Sequence, residues 1–345
     1  MRSIGYAQAI REAVAQLLAT DPRVFLIGQG LWSPWYAGTT LQDIDKEFGR
    51  HRVLDSPVSE NATTGVALGA AMAGMRPIVF HPRMDFMLLA VDPIVNQAAN
   101  WSYLFAGQVQ VPVVIRAVIN RGGEQGAQHS QAFQAMFMHV PGLKLVMPSN
   151  PYDAKGLLVA AVRDGNPVMY IDDRWLYEDI GEVPEELYSV PIGTAAIRRT
   201  GKDVTIVATS YMAAEAVRAG EILASNGIDA EVIDLRSIKP WDKECVFGSV
   251  HKTGALVVAD AAWKTCGVAA EIVATVACEM REHRKIQITR VCLPDVPAPT
   301  SAPLEKSYYI GTVDIVTAAE KVIKEKEKSW PTKSRSLIRT HTTAD

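Results

Sequence analysis

The sequence predicts an α/β protein of two three-layer domains, each a parallel sheet covered by helices on both faces. Three observations carry that prediction. Short apolar runs of strand length alternate with helical periodicities along the chain. The runs are apolar throughout rather than alternating, as in strands buried on both sides. A charged stretch with Pro and Gly, residues 173–200, breaks the rhythm once and links a first unit to a second. A length of 345 residues suits two such domains. The expected division is 1–185 and 186–330, with 331–345 a polar tail.

Taken in order, Ile10, Ala13, Val14, Leu17 and Leu18 recur at helical spacing, and the strand "RVFLIG" (23–28) follows at once. "LDSPVSENATTGVALGAAMAGMRP" (54–77) puts Glu60 just ahead of a helix made almost wholly of Gly, Ala and Met. Next come the strand "PIVF" (77–80), a long helix around "LLAVDPIVNQAANW" (88–101) and the strand "VPVVIRAV" (111–118). "LKLVMPS" (143–149), the helix "PYDAKGLLVAAVRDG" (151–165) and "PVMYID" (167–172) complete the first unit. The second has strands "DVTIVATS" (203–210), "AEVIDL" (230–235), "ALVVAD" (255–260) and "ITRVCL" (288–293). Its helices are "GVAAEIVATVA" (267–277) and "VDIVTAAEKVIKEKEKSW" (313–330).

Composition excludes several classes. Hydrophobic residues make up 48% and charged ones 21%, as in an enzyme with a large core. A formal charge of −3 gives no footprint for nucleic acid or an acidic membrane. No run approaches the ~18 apolar residues of a membrane span. Cys245, Cys266, Cys278 and Cys292 form no CxxC pair and read as core thiols in a reducing compartment. With no secretory core at the N-terminus, the expected location is the cytoplasm.

One carboxylate stands out. Glu60 opens the Gly/Ala helix, and nothing else ionisable occurs before Arg76. A helix-start charge, with Ser59 or Asn61 as N-cap, accounts for it without any function. The helix behind it resists that account. Gly65, Gly69 and Ala73 leave one bare face, and an interior Gly costs about 1 kcal/mol against Ala. Close approach of another helix, across a subunit boundary, would supply the reason.

Nearly the whole chain, to about residue 327, resembles the beta subunits of the decarboxylating component of 2-oxo acid dehydrogenase complexes. This group of pyruvate, branched-chain and acetoin enzymes belongs to the transketolase-like, thiamine diphosphate-dependent proteins. The motifs that carry the resemblance stand in the family's order: "DPRVFLIG", "SPVSE…GVALGAAMAGMRPI", "QHSQAF", "PGLKLVMPSNPYDAKGLL", "LRSIKPWD", "W…GVAAEI" and "DVPAPTSAPLEK".

The resemblance implies roles. Glu60 matches the catalytic glutamate that shares a proton with the N1′ nitrogen of the cofactor's aminopyrimidine. Poor solvation among Gly, Ala and Met favours its neutral form and the helix N-terminus its charged form, a balance that suits proton sharing. His129 matches a histidine facing the active centre, and Phe86 the ring stacked on the aminopyrimidine. A structural histidine and a core phenylalanine explain the same letters. "AAVRDGNP" (160–167) matches a segment that cages a structural cation, often potassium, through Ala161, Asp164 and Asn166 with the Val113 carbonyl. Oxygen ligands suit a hard cation, although a plain Asp-Gly turn also fits.

The diphosphate motif GDG…N is missing, and Gly122, Gly123 and Gly126 form a loop rather than a phosphate cradle. In split members of the family that site, with its Mg²⁺, lies on an alpha subunit. The resemblance therefore implies half an active site in an α₂β₂ heterotetramer, with a lipoyl acyltransferase as a further partner. Departures from the family bear on the substrate. Gln29 replaces a carboxylate, and "FHPRMDF" brings His81, Arg83 and Asp85 where the family resembles "EFMTFNF". Arg83 is read either as a ligand for a substrate carboxylate or phosphate, or as a surface partner of Asp85. The leading reading is a 2-oxo acid dehydrogenase beta subunit. A split transketolase or carboligase acting on a ketose, and a non-catalytic structural subunit, stand as alternatives. Trp263 and Lys264 are read as interface or core residues.

Overall fold

The computed structural model describes residues 2–33, 38–280 and 286–329; the expected tail, 331–345, lies outside the described residues. The strands are β1 (Arg2–Gly5), β2 (Val24–Gln29), β3 (Val53–Ser56), β4 (Arg76–His81), β5 (Val114–Ile119), β6 (Lys144–Val146) and β7 (Val168–Asp173), then β8 (Ile180–Val183), β9 (Ala196–Arg199), β10 (Val204–Ala208), β11 (Ala230–Asp234), β12 (Ser237–Lys239), β13 (Ala255–Trp263) and β14 (Gln287–Leu293). The helices are α1 (Tyr6–Thr20), α2 (Ile44–Phe48), α3 (Glu60–Met72), α4 (Met84–Met87), α5 (Ala99–Leu104) and α6 (Gln134–Met138), then α7 (Pro151–Arg163), α8 (Ser210–Ser225), α9 (Lys243–Thr253), α10 (Val268–Glu279), α11 (Ala302–Tyr308) and α12 (Thr312–Ser329).

Two sheets organise the chain. The first runs β12-β6-β7-β5-β4-β2-β3, the second β14-β13-β10-β11-β9. Both are mostly parallel, as the apolar runs predict, but each carries one antiparallel strand, β12 against β6 and β9 against β11. The local chemistry follows the sequence. Helix α1 buries Tyr6, Ala9, Ile10, Ala13, Val14 and Leu17, the 3–4 spacing of a single face. Helix α7 starts on Pro151, and the Asn150 side chain caps it by accepting the Asp153 N–H at 3.0 Å.

The second unit also holds α8 and α9, which the expected elements do not include, and three further differences from expectation bear on the architecture. The single long helix over 88–101 is broken into a 3₁₀ turn (Leu88–Ala90), a π-helical turn (Pro93–Ala98) and α5. Pro93 lacks the N–H an unbroken α-helix needs and crowds the preceding turn. The link 173–200 is not wholly irregular, since β8 pairs with β1 and β9 extends the second sheet. Finally, β12 comes from "LRSIKPWD" in the second unit yet joins the first sheet, Ser237 opposite Val146 and Lys239 opposite Leu145. The Lys239 ammonium donates to the carbonyls of Met138 and Val140, both at 2.6 Å. One hydrophobic core runs through both units, with Val79, Ile115 and Leu145 in the same cluster as Ile233, Ile238 and Ile272. No described helix is long and apolar enough to cross a membrane.

Candidate functional site

Four of the sequence-predicted residues gather at one edge because of strand order, whereas the expected cation ligands Val113, Asp164 and Asn166 precede β5 and β7 at the opposite, amino ends. Gln29 ends β2, Glu60 follows β3, Phe86 follows β4, and the loop to His129 leaves β5. These four strands are neighbours in the sheet, β5-β4-β2-β3, and all run parallel. Their carboxyl ends therefore open on one side, where ligands sit in open α/β sheets.

Glu60 is the first residue of α3 and is only 6% exposed. Ser59 occupies the N-cap position without a side-chain cap bond; its carbonyl accepts from the Thr63 N–H instead, at 2.9 Å. The Glu60 Oε2 atom is buried with no hydrogen-bond partner. An orphaned buried acceptor is costly, about 1–3 kcal/mol, and calls for an explanation. A donor nitrogen from a bound aminopyrimidine would satisfy it, so this residue fits the cofactor implied by the resemblance.

Phe86 and His129 meet directly. Their rings stand edge to face, centroids 5.3 Å apart and planes at 82°. Asp85 and Gln131 fix the two segments. Asp85 Oδ1 accepts from the Gln131 backbone N–H at 3.1 Å and from its side-chain amide at 2.9 Å. Asp85 is buried, which raises its pKa, and its Oδ2 has no partner. The picture of Asp85 as a surface residue paired with Arg83 is thus corrected: the carboxyl lies inside, against the loop of His129. Arg83 reaches the same loop, donating to the His129 carbonyl at 3.3 Å and to the Gln125 side-chain oxygen at 2.9 Å. His81 is buried beside α3, its Nε2 3.2 Å from Thr64 Oγ1, one helical turn beyond Glu60. Burial pushes its imidazole down to about 4, so the ring is neutral at physiological pH.

The expected cation loop is already populated with protein charge. Arg76 donates to the carbonyls of Val162 and Asp164, the latter at 3.1 Å. Lys144 Nζ lies 2.6 Å from Asp164 Oδ2, while Asp164 Oδ1 accepts the Asn166 N–H at 2.9 Å. The Val113 carbonyl accepts the Val168 N–H, and the Ala161 carbonyl the Asp164 N–H. Only the Asn166 side-chain oxygen, among these atoms, is buried without a partner. Trp263 lies apart from this loop, its ring against Phe133 and its indole N–H on the Val296 carbonyl at 2.9 Å.

Sequence reasoning missed Gln131 and Asp260. Asp260, within β13 where its register with β14 shifts, is 2% exposed and accepts from the Gln134 amide at 2.8 Å. Burial pushes its carboxyl up to about 6. Gln131 stands in the motif "QHSQAF" and Asp260 in the run "ALVVAD", but neither pattern assigns a role, because each residue matters only through a contact between distant segments.

The chain matches the transketolase pyrimidine binding domain over residues 2–178 and the transketolase C-terminal domain over residues 193–315. It is 42% identical over 334 residues to the acetoin:2,6-dichlorophenolindophenol oxidoreductase subunit beta of Cupriavidus necator, covering 94% of this chain and 98% of the relative. It is 40% identical over 318 residues to the mitochondrial pyruvate dehydrogenase E1 component subunit beta-2 of Oryza sativa subsp. japonica, covering 91% and 85%. Among solved structures, a split gene transketolase described as an inactive beta4 tetramer shares the fold, with a TM-score of 0.77 at 24% identity over 93% of this chain and 99% of that one. With both domain families matched in order and these relatives aligned over most of their length, the chain belongs to the transketolase-like beta subunits that include the acetoin and pyruvate dehydrogenase chains.

Proposed function

We propose that this chain is the beta half of a thiamine diphosphate enzyme that cleaves a 2-oxo acid and passes the acyl unit on, to a lipoyl acyltransferase. It works in an α₂β₂ assembly whose alpha subunit holds the diphosphate through Mg²⁺. The observation that carries this reading is the buried, unpartnered Glu60 Oε2 at the start of α3. When bound, the cofactor supplies the electron sink for decarboxylation. Glu60 holds and shares a proton with the aminopyrimidine ring nitrogen. Phe86 stacks on that ring, and His129, set against Phe86, orients the acceptor or moves its proton.

The outer face of α3 supports the shared site. Gly65 and Gly69 have no atom within 4 Å of where a Cβ would stand, and Val66 and Met72 beside them are exposed. Gly65, Gly69 and Met72, with Pro93 and Trp101, line an apolar groove of 200 Å³. A helix laid against it closes the site. Free thiols at Cys245, Cys266 and Cys292 suit a reducing interior such as the cytoplasm.

Arg83, beside His129, favours a second reading in which the substrate is a phosphorylated ketose or aldehyde and the enzyme a carboligase. A structural potassium ion in the 160–166 loop belongs to the proposal through Asn166 alone, since Arg76 and Lys144 would face it as like charges. A melting temperature that rises with potassium but not sodium chloride supports the ion; equal melting removes it.

The deciding experiment is calorimetric titration of thiamine diphosphate and Mg²⁺ into the chain alone, then with its alpha subunit. Binding in the pair only is expected. Tight stoichiometric binding by this chain alone would overturn the split site.

A further inference from the structure

The second unit grips the loop that bears His129. That loop, 120–131, is held in an unusual backbone. Gly122, Gly123, Glu124 and Gly126 all have positive φ, from 61° to 72°. A non-glycine residue in that region is strained and persists only when its surroundings impose it. For Glu124 the surroundings are α11 of the second unit. The Glu124 N–H donates to Glu305 Oε1 at 3.0 Å, and the Glu124 carboxylate accepts from the Ala302 N–H at 3.2 Å. Each glutamate thus satisfies a backbone donor of the other's segment. The Ala302 N–H is one that the helix itself leaves without a partner. Glu305 is buried, whereas Glu124 is exposed.

Two more ties to the loop, and one to α6 just beyond it, come from the same unit. Arg121 donates to the Ala261 carbonyl at 2.7 Å, the Gly122 N–H to Tyr309 Oη at 3.3 Å, and the Gln134 amide to Asp260. Gly126 lies so close to Thr300 that a Cβ there would stand 2.6 Å from Oγ1. The Gly126 carbonyl in turn accepts the His129 N–H at 3.3 Å. A continuous path therefore runs from Glu305 through Glu124 and Gly126 to His129.

We propose that Glu305 is a positioning residue: by accepting the Glu124 N–H it fixes loop 120–131 and so sets His129 against Phe86. Its consequence for turnover rests on the role proposed for His129; its effect on the loop does not.

Hydrogen exchange on the full chain tests the loop, and kinetics of the assembled enzyme test the consequence. Glu305→Ala should speed exchange across 120–131 by about tenfold while peptides from α3 stay unchanged. Glu305→Gln keeps an acceptor oxygen and should restore protection. In the assembled enzyme Glu305→Ala should lower kcat by about tenfold, leave the cofactor's affinity unchanged, and again be rescued by Gln. Should Glu305→Ala fail to fold, Glu124→Ala removes the other half of the cap from an exposed position and gives the same readout. Unchanged exchange in 120–131 overturns the cap. A loosened loop with unchanged kcat overturns the positioning role. Full activity of a Glu60→Gln enzyme would instead sink the cofactor reading and leave the exchange result standing.

Discussion

The ring of Phe86 stands edge-on to the imidazole of His129, centroids 5.3 Å apart. Two residues 43 positions apart in sequence thus share one wall of the candidate site. Phe86→Ala should weaken binding of the cofactor to the assembled enzyme and free the His129 ring. An edge-to-face pair is worth about 0.5–1.5 kcal/mol beyond the area it buries. A several-fold higher dissociation constant, with broadened His129 resonances, is the expected outcome; an unaltered constant would make Phe86 an ordinary core residue.

Glu60 separates function from stability. Its buried Oε2 satisfies nothing in the chain alone, so Glu60→Gln should change urea-unfolding stability of the isolated chain by no more than about 1 kcal/mol, the size of a helix-end charge effect. In the assembled enzyme the same change should lower turnover by about 10²–10⁴-fold, the range for general acid–base groups. A large loss of stability with turnover intact would reverse the assignment.

Two buried groups should shape the pH dependence of stability in opposite directions. The His81 pKa falls from 6.5 to about 4 on burial. The unfolded chain takes up that proton first, so stability drops as pH falls from 6.5 through 4. The Asp260 pKa rises from 3.8 to about 6. Here the folded chain keeps the proton longer, so stability drops as pH rises from 3.8 through 6. Each effect is about 3 kcal/mol at most, at 1.36 per unit. Urea unfolding between pH 4 and 7 should show His81→Gln with a gentler acid loss and Asp260→Asn with a gentler loss toward neutrality. Parallel curves for wild type and both variants would contradict the burial argument.

The bare face of α3 should matter for assembly and not for folding. No atom lies within 4 Å of a Cβ on Gly69, and a helical Gly replaced by Leu gains about 0.5–1 kcal/mol of propensity. Gly69→Leu should therefore leave the isolated chain's melting temperature level or raised, while size-exclusion chromatography shows loss of the complex with the alpha subunit. Normal assembly would place the partner elsewhere.

The sequence by itself determined the alternation of strands and helices, because runs such as those of β5 and β10 are buried on both faces and read as apolar throughout. It also marked Glu60, since a lone carboxylate in a helix of Gly, Ala and Met is visible without coordinates. Strand order was not legible. It takes non-local pairing to place the ends of β5, β4, β2 and β3 side by side, and so to bring His129 against Phe86. Nor could local pattern show β12 crossing into the first sheet, for three residues carry too little periodicity to declare a strand or its partner. The grip of Glu305 on Glu124 spans 181 positions. Contacts of that range form only when the whole fold closes, which is why the tertiary structure alone decided how the second unit holds the loop of the first.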